Sequence, residues 1–384
     1  MEEIIDLKVW IIGRGIPSSK NKMLGSFELE QAQALEKKGV DVIYIAMSVR
    51  SGRNLQHIGY RFTVEKKVPI FSINFPIGRL FPQKITDGLF DIFLKYLSKI
   101  IIKKYGMPNI VHVHYPAQRS YRFLERIQKK GVKIVATEHW SKVQDKTLNI
   151  KSLQNIKEFA HKCDSFICVS SCLKQSVLEL TGVKRKVFNV PNLVNPYFTN
   201  NSISNNSCED FRYVVSGRLV DCKRVDKVIR AFISVFSKDE KVSLFIAGGG
   251  AEYSKLKQII DEEEREKQIH LMGTVTRVRM AELLASSNVL VTYSELETFC
   301  VPIIEAWMCG KPVIATDSIP VMIENNDSRL GLTVEHNNVE SLEKALLDMR
   351  DSWNEYDSKW IENYARNHFS ESAVAQRLLD IYYE

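Results

Sequence analysis

Residues 292–316 read TYSELETFCVPIIEAWMCGKPVIAT. Pro302 suits the first turn of a helix, where its fixed φ and missing N–H cost nothing. Gly310 can take the left-handed conformation that ends the helix, and Pro312 blocks its continuation. Val313–Thr316 then reads as a short buried strand. Glu297 therefore falls in the loop before the helix and Glu305 about one turn inside it, with free backbone N–H groups between them. Such an arrangement suits a polyhydroxylated, phosphorylated ligand: carboxylates accept from sugar hydroxyls, and a helix N-terminus attracts phosphate. Taken alone, the same residues also describe an ordinary loop, amphipathic helix and strand with two solvated glutamates.

Outward from this stretch, both halves of the 384-residue chain alternate short β-branched runs with helical stretches, the pattern of parallel sheets flanked by helices. Strands are expected at 7–12, 40–46, 109–114, 133–137, 165–169 and 186–190. In the second half they are expected at 212–216, 243–247, 269–272, 289–292, 312–315 and 330–334. The polar run 199–210 has linker composition. The length suits about two domains. Residues 369–384 read as one more amphipathic helix, with Val374, Leu378, Ile381 and Tyr382 on a face.

In open α/β sheets ligands bind at the carboxyl ends of strands. Arg218 and Lys223, in SGRLVDCK (216–223), lie just past such an end. A guanidinium fork and an ammonium can together grip a diphosphate; salt bridges to Asp221 or Asp226 are the alternative. His112 and His114 point to one face of a strand end, as satisfied structural histidines rather than metal ligands. His139, in TEHW, is the imidazole best placed to meet a substrate hydroxyl, or else a histidine tied to its own loop. Gly25 and Ser26 open a helix where a ligand can approach the backbone. The run Gly248–Gly250 reads as a tight β-to-α turn rather than a phosphate cradle. Neither half carries G-x-G-x-x-G after its first strand, which argues against a dinucleotide-dependent dehydrogenase.

Hydrophobic content of 45% and charged content of 26% are ordinary for a globular protein. The opening MEEIIDLKVW has no basic leader before an apolar run, and seven cysteines without paired C-x2-C spacing fit reduced thiols; both point to the cytoplasm. Charge is uneven. Residues 1–195 carry 32 Lys and Arg against 16 Asp and Glu, whereas the remainder carries 21 against 30. A basic half suits an anionic partner, such as the inner membrane face, or simply a solvated lysine-rich surface. The basic residues are dispersed and belong to no nucleic-acid module, so no nucleic-acid partner is expected.

Taken together, the glycine loop at 23–35, the TEHW strand end, the GRL segment with its lysine and the E-x7-E segment resemble the family-4 retaining glycosyltransferases of GT-B fold. The resemblance implies an α/β chain with two Rossmann-like, doubly wound domains facing across a cleft. Residues 1–195 would bind acceptor and 196–365 the nucleotide sugar, with a helix at 366–384 rejoining the first domain. It implies that Arg218 and Lys223 bind the donor diphosphate beside Gly217, and that Glu305 accepts from ribose hydroxyls. Glu297 would hold sugar hydroxyls, with the backbone of Phe299, Cys300 and Val301 beside it. His139 would meet the donor sugar, Gly25 and Ser26 the diphosphate, and Gly273 and Val275 the base. Asn192 matches the inter-domain loop. Neither metal nor cofactor is implied. The partners would be a nucleoside-diphosphate sugar, UDP- rather than GDP-linked, and a glycan or lipid-linked acceptor. Two departures bear on donor choice: Cys300 stands where the family has glycine, and Asp317–Pro320 lacks the usual glycines. A sugar-nucleotide epimerase on the same scaffold and a silent nucleotide-sugar-binding protein are the competing functions.

Overall fold

A computed structural model describes residues 7–17, 24–48, 58–75, 83–198 and 210–384. The chain divides into two compact units, Met1–Leu193 with Val374–Glu384, and Val194–Ala373. The crossing falls just before Val194, ahead of the expected linker, which except for Asp210 lies outside the described residues.

The first unit is built on eight strands: β1 (Lys8–Gly13), β2 (Asp41–Ser48), β3 (Gly59–Glu65), β4 (Val68–Asn74), β5 (Ile110–His114), β6 (Lys133–Glu138), β7 (Ser165–Cys168) and β8 (Val187–Asn189). They lie in the order β3-β4-β2-β1-β5-β6-β7-β8. All neighbours run parallel except β3, which returns antiparallel to β4. Strands such as β1 (KVWIIG) and β2 (DVIYIAMS) are apolar almost throughout, as they must be when helices cover both faces. The β3–β4 hairpin was not expected. Its turn places Lys66 and Lys67 at φ 45° and 67°, where glycine or asparagine would have signalled a hairpin.

The second unit holds β9 (Phe211–Ser216), β10 (Val242–Ala247), β11 (Ile269–Gly273), β12 (Val289–Thr292), β13 (Val313–Thr316) and β14 (Gly331–Val334). The order β11-β10-β9-β12-β13-β14 is parallel throughout. Helix Val225–Phe236 buries Val228, Ile229, Phe232 and Phe236, and helix Val339–Ser352 adds Leu342, Leu346 and Met349 to the same core. Among the parallel strands of each sheet the order reverses once, between β1 and β5 and between β9 and β12. At such a switch point the following loops part to opposite faces and leave room for a ligand.

The helix expected from Phe369 onward is present as Glu371–Tyr383, but it does not reach back to 366. One helix, Ser358–Phe369, belongs to the second unit; a second, Glu371–Tyr383, follows it. The break is Ser370, whose extended backbone and hydroxyl, accepting from Ala373 N–H at 3.2 Å, restart the helix. Val374, Leu378, Leu379 and Tyr382 then enter the core of the first unit beside Val9, Ile11, Leu35 and Tyr44. Leu378→Ala should destabilise that unit by about 2–5 kcal/mol. Native-state hydrogen exchange should show lost protection in β1, β2 and β5 with β9 and β12 unchanged; equal protection in both units would count against this placement.

Candidate functional site

The loop after β9 is shaped by main chain. Gly217 N–H donates to Ala247 O at 3.1 Å, Leu219 N–H to Gly249 O at 3.0 Å, and Glu252 N–H to Leu219 O at 3.0 Å. A Cβ at Gly248 would stand 1.9 Å from Gly217 O, and one at Gly250 would stand 2.1 Å from Leu219 O. The triple glycine is thus the expected tight turn, and it also buttresses the loop that carries Arg218.

Across the switch point comes the loop after β12. Glu295 N–H donates to Cys222 O at 2.8 Å, and Arg224 donates Nε to Glu295 Oε1 at 2.6 Å and Nη1 to Asp221 Oδ1 at 2.9 Å. Lys223 pairs with the Glu297 carboxylate rather than with Asp221 or Asp226, and both side chains are largely buried. Burial opposes the ammonium charge, but Glu297 and the neighbouring thiols outweigh it, so the Lys223 pKa lies above the ordinary amine value. Gly217, Arg218, Lys223, Thr292, Tyr293 and Ser294 line one recess. Arg218 itself is exposed.

Phe299 and Cys300 are buried, and helix Val301–Met308 starts directly after them with Pro302 in its first turn. Cys300 caps the helix at φ 83°, a left-handed backbone that a Cβ makes costly. Its thiol lies 4.0 Å from Thr292 Oγ1 and hydrogen-bonds Glu297, and burial pushes its pKa well up. Gly310, at φ 70°, closes the segment as expected.

Glu305 stands on that helix near Arg277, a residue sequence reasoning missed. Burial raises the Glu305 carboxyl to about 7 although Arg277 pulls it down; burial also lowers Arg277. Arg277 opens helix Arg277–Ala285 after Gly273, which ends β11, and the partly exposed Val275. The signal was available: TRVR (276–279) follows a strand end, the same position that singled out Arg218.

In the first unit, Gly25 caps helix Ser26–Lys37 at φ 73°, and a Cβ there would stand 2.1 Å from Gly15 O. Residues 18–23 of its loop lie outside the described residues. Ser26 is buried. Glu28 of the same helix accepts from Arg14 Nε at 3.0 Å, and the Arg14 guanidinium lies 3.6 Å from the centroid of the Tyr115 ring. Tyr115 stacks on His139, whose Nε2 lies 2.9 Å from His114 Nδ1 and whose ring also bonds Asn192. Burial above all, then Arg14 and His112, lowers the His139 pKa to about 3, so the ring is neutral. Glu138 accepts from the N–H groups of Ala117, His139 and Trp140, yet burial keeps its pKa at about 7. His112 is satisfied at both nitrogens, by Tyr382 and Thr137 at 2.6 Å each. Arg14, Glu28 and Tyr115 are functional-site candidates that the sequence alone does not single out.

Two parallel-sheet Rossmann-like units, with basic and acidic side chains at a switch point, define the GT-B class of nucleotide-sugar-handling proteins. Residues 27–198 match the model of Glycosyltransferase Family 4, and residues 199–367 match that of Glycosyl transferases group 1. The chain belongs to the family-4 retaining glycosyltransferases.

Among solved structures, sucrose-phosphate synthase from Thermosynechococcus elongatus superposes with TM-score 0.77 at 18% identity, covering 98% of each chain. Anabaena HepE, in complex with UDP and glucose, superposes with TM-score 0.67 at 14% identity, over 97% of this chain and 98% of its own. Among curated relatives, a phosphatidylinositol N-acetylglucosaminyltransferase component from Arabidopsis thaliana is 24% identical over 62% of this chain and 54% of its own. N-acetyl-alpha-D-glucosaminyl L-malate synthase of Bacillus anthracis is 27% identical over 67% of this chain and 72% of its own. A Staphylococcus aureus poly(ribitol-phosphate) alpha-N-acetylglucosaminyltransferase is 26% identical over 65% and 50%. The chain thus spans about half the length of the Arabidopsis and Staphylococcus relatives.

Cys300→Gly should raise stability by about 1 kcal/mol, because glycine adopts the left-handed backbone freely, as urea unfolding would read. An unchanged or lower midpoint would mean that the thiol contacts outweigh the strain. Glu305 gives a pH signature. Its folded pKa is raised, so the native state holds the proton more tightly, and this contribution is full below about 4.5 and lost as pH rises through about 7. Wild type should lose up to about 3 kcal/mol from this group between pH 4.5 and 7.5. Glu305→Gln should flatten that part of the melting-temperature profile.

Proposed function

We propose that this protein is a metal-independent retaining hexosyltransferase that moves a sugar from a nucleoside-diphosphate donor, UDP-linked, to a glycan or lipid-linked glycan of the cell surface, such as capsule, O-antigen or lipopolysaccharide. The observation that carries it is the recess at the β9/β12 switch point, which Arg218 and Lys223 both line, with the Lys223 ammonium held by Glu297. An ion-paired ammonium and an exposed guanidinium on one loop, itself tied to the loop after β12 by a backbone hydrogen bond, suit a pyrophosphate that gains charge as the sugar departs. Lys223, with its raised pKa, stays charged at neutral pH. Glu305 is assigned to the ribose, and Gly273 and Val275 to the base. Glu297 and the main chain of Phe299, Cys300 and Val301 are assigned to the sugar. In the first unit His139 is assigned to the sugar, as a neutral imidazole, and Gly25 and Ser26 to the diphosphate.

The UDP in the HepE complex supports the choice of nucleotide, and the N-acetylglucosamine named for the curated relatives makes that sugar the first donor to try. A lipid and a polyol-phosphate polymer are the acceptors named for two of them, which supports a cell-surface acceptor. The basic first half, 32 cations against 16 anions, supports work in the cytoplasm beside an anionic membrane. No helix among the described residues is long and apolar enough to cross a membrane.

In the chemical step the sugar C1–O bond to the diphosphate breaks as the acceptor oxygen bonds C1 on the same face. The acceptor proton passes to the departing phosphate oxygen. Arg218 and Lys223 stabilise the diphosphate, and the pocket supplies position.

Lys223→Ala should lower turnover about 10²–10³-fold, the scale of losing one preorganised charge contact, while UDP still binds. Transfer of radiolabelled sugar to a lipid extract measures the first, and a thermal-shift screen of UDP, GDP, ADP and their sugars the second. Wild-type transfer by the variant would remove Lys223 from the chemistry. Isomerisation of a nucleotide sugar without acceptor would favour the epimerase. Nucleotide binding without turnover of either kind would favour the silent binder.

A further inference from the structure

The long helix Gln83–Tyr105 of the first unit is amphipathic in an unusual sense. Its inward stripe, Leu94, Leu97, Ser98 and Ile101, is buried as a core-facing stripe should be. The opposite stripe should be polar throughout. Instead, Ile85, Ile92 and Tyr96 are exposed at 46%, 60% and 54%, and the same stripe continues into exposed Lys95, Lys99 and Lys103.

Next to the helix, edge strand β3 exposes Tyr60, Phe62 and Val64, alternate residues that share one face of the sheet. Lys104 Nζ lies 4.7 Å from the centroid of the Phe62 ring, so this face adjoins the basic end of the helix. Phe75, after β4, packs on Phe93 at 5.2 Å and is itself exposed. Of the exposed large hydrophobic residues across the described chain, more than half lie between Ile58 and Tyr96. Contiguous apolar surface of this kind marks an interaction site.

Charge selects the occupant. On the strand, its turn and the helix, Arg61, Lys66, Lys67, Lys95, Lys99, Lys103 and Lys104 are exposed, whereas the only exposed acidic side chain described there is Glu65. A second copy docked on this face about a two-fold axis would bring like charges together. An anionic bilayer accepts both features: apolar tips enter the acyl boundary while lysines reach lipid phosphates.

We infer that the outward stripe of helix Gln83–Tyr105 and the exposed face of β3 dock this protein onto an anionic phospholipid surface. The inference deepens the membrane placement proposed above by assigning it a face, and it is separable from the sugar-transfer chemistry.

Flotation with phosphatidylcholine vesicles, with and without phosphatidylglycerol, tests it at low and high salt. Wild type should float with the anionic vesicles alone, and less so at high salt. Each lysine near such a surface changes partitioning roughly fivefold. The combined change Lys95→Glu, Lys99→Glu and Lys103→Glu should therefore lower binding at least tenfold. Ile92→Ser with Tyr96→Ser should weaken binding at both salt concentrations. A control of the same charge on another exposed part of the unit, Lys129→Glu, Lys130→Glu and Lys151→Glu, should bind within about threefold of wild type. Circular-dichroism melting confirms that each variant folds. If the control loses binding and the helix variant keeps it, the assigned face is wrong while the membrane placement stands. If wild type never floats, both fail, and sugar transfer to a soluble acceptor still tests the enzyme. If sedimentation shows wild type as a dimer that Ile92→Ser with Tyr96→Ser splits, with vesicle binding untouched, the face belongs to a second copy.

Discussion

The pairing of Lys223 with Glu297 is the contact around which the second unit's functional end is organised. The two residues follow different strands, β9 and β12, which are neighbours in the sheet although some seventy residues apart in sequence. A parallel sheet whose order reverses at that point sends the two loops apart, and an ion pair together with the Glu295–Cys222 backbone bond draws them back. Neither charge is left buried alone, a condition that would be strongly destabilising. Arg218 rides on the same loop, so its position follows from the pair and from the glycine turn beneath it.

Much of this organisation is legible in the residues themselves. All but two strands fall within a residue or two of where they are expected, because apolar β-branched runs with helical stretches between them leave few alternatives. Glu297, Pro302, Glu305 and Gly310 fall where the helix signals put them, since proline at a helix start and glycine past its end are constraints of local sterics. The β3–β4 hairpin was not legible, because a lysine pair occupies positive φ without any residue that announces it. Nor was the network of Arg14, Glu28, Tyr115 and His139, which joins residues over a hundred positions apart and exists only because β1, β5 and β6 are neighbours in the sheet. Arg277 was overlooked for a different reason: an arginine at a helix start looks solvated until the helix bearing Glu305 is folded near it.

The two units differ in how they treat charge. In the second, Lys223 is paired with the Glu297 carboxylate beside a partly open recess, and its raised pKa keeps the ammonium charged. In the first, three imidazoles are stacked in a buried row; burial lowers the pKa of each and neutralises it. A neutral imidazole can donate or accept one hydrogen bond but contributes no net field, and it suits recognition of an uncharged hydroxyl better than of a phosphate.

The glycine turn at 248–250 has a consequence for how this molecule tolerates change. The bend that presents Arg218 is held by carbonyls and amides, groups that every residue carries. Side chains at 220–222 can therefore be exchanged with little displacement of the guanidinium, whereas one methyl group added at Gly248 or Gly250 would collide with the neighbouring backbone. The geometry of the loop that carries Arg218 is thus encoded by what two positions lack.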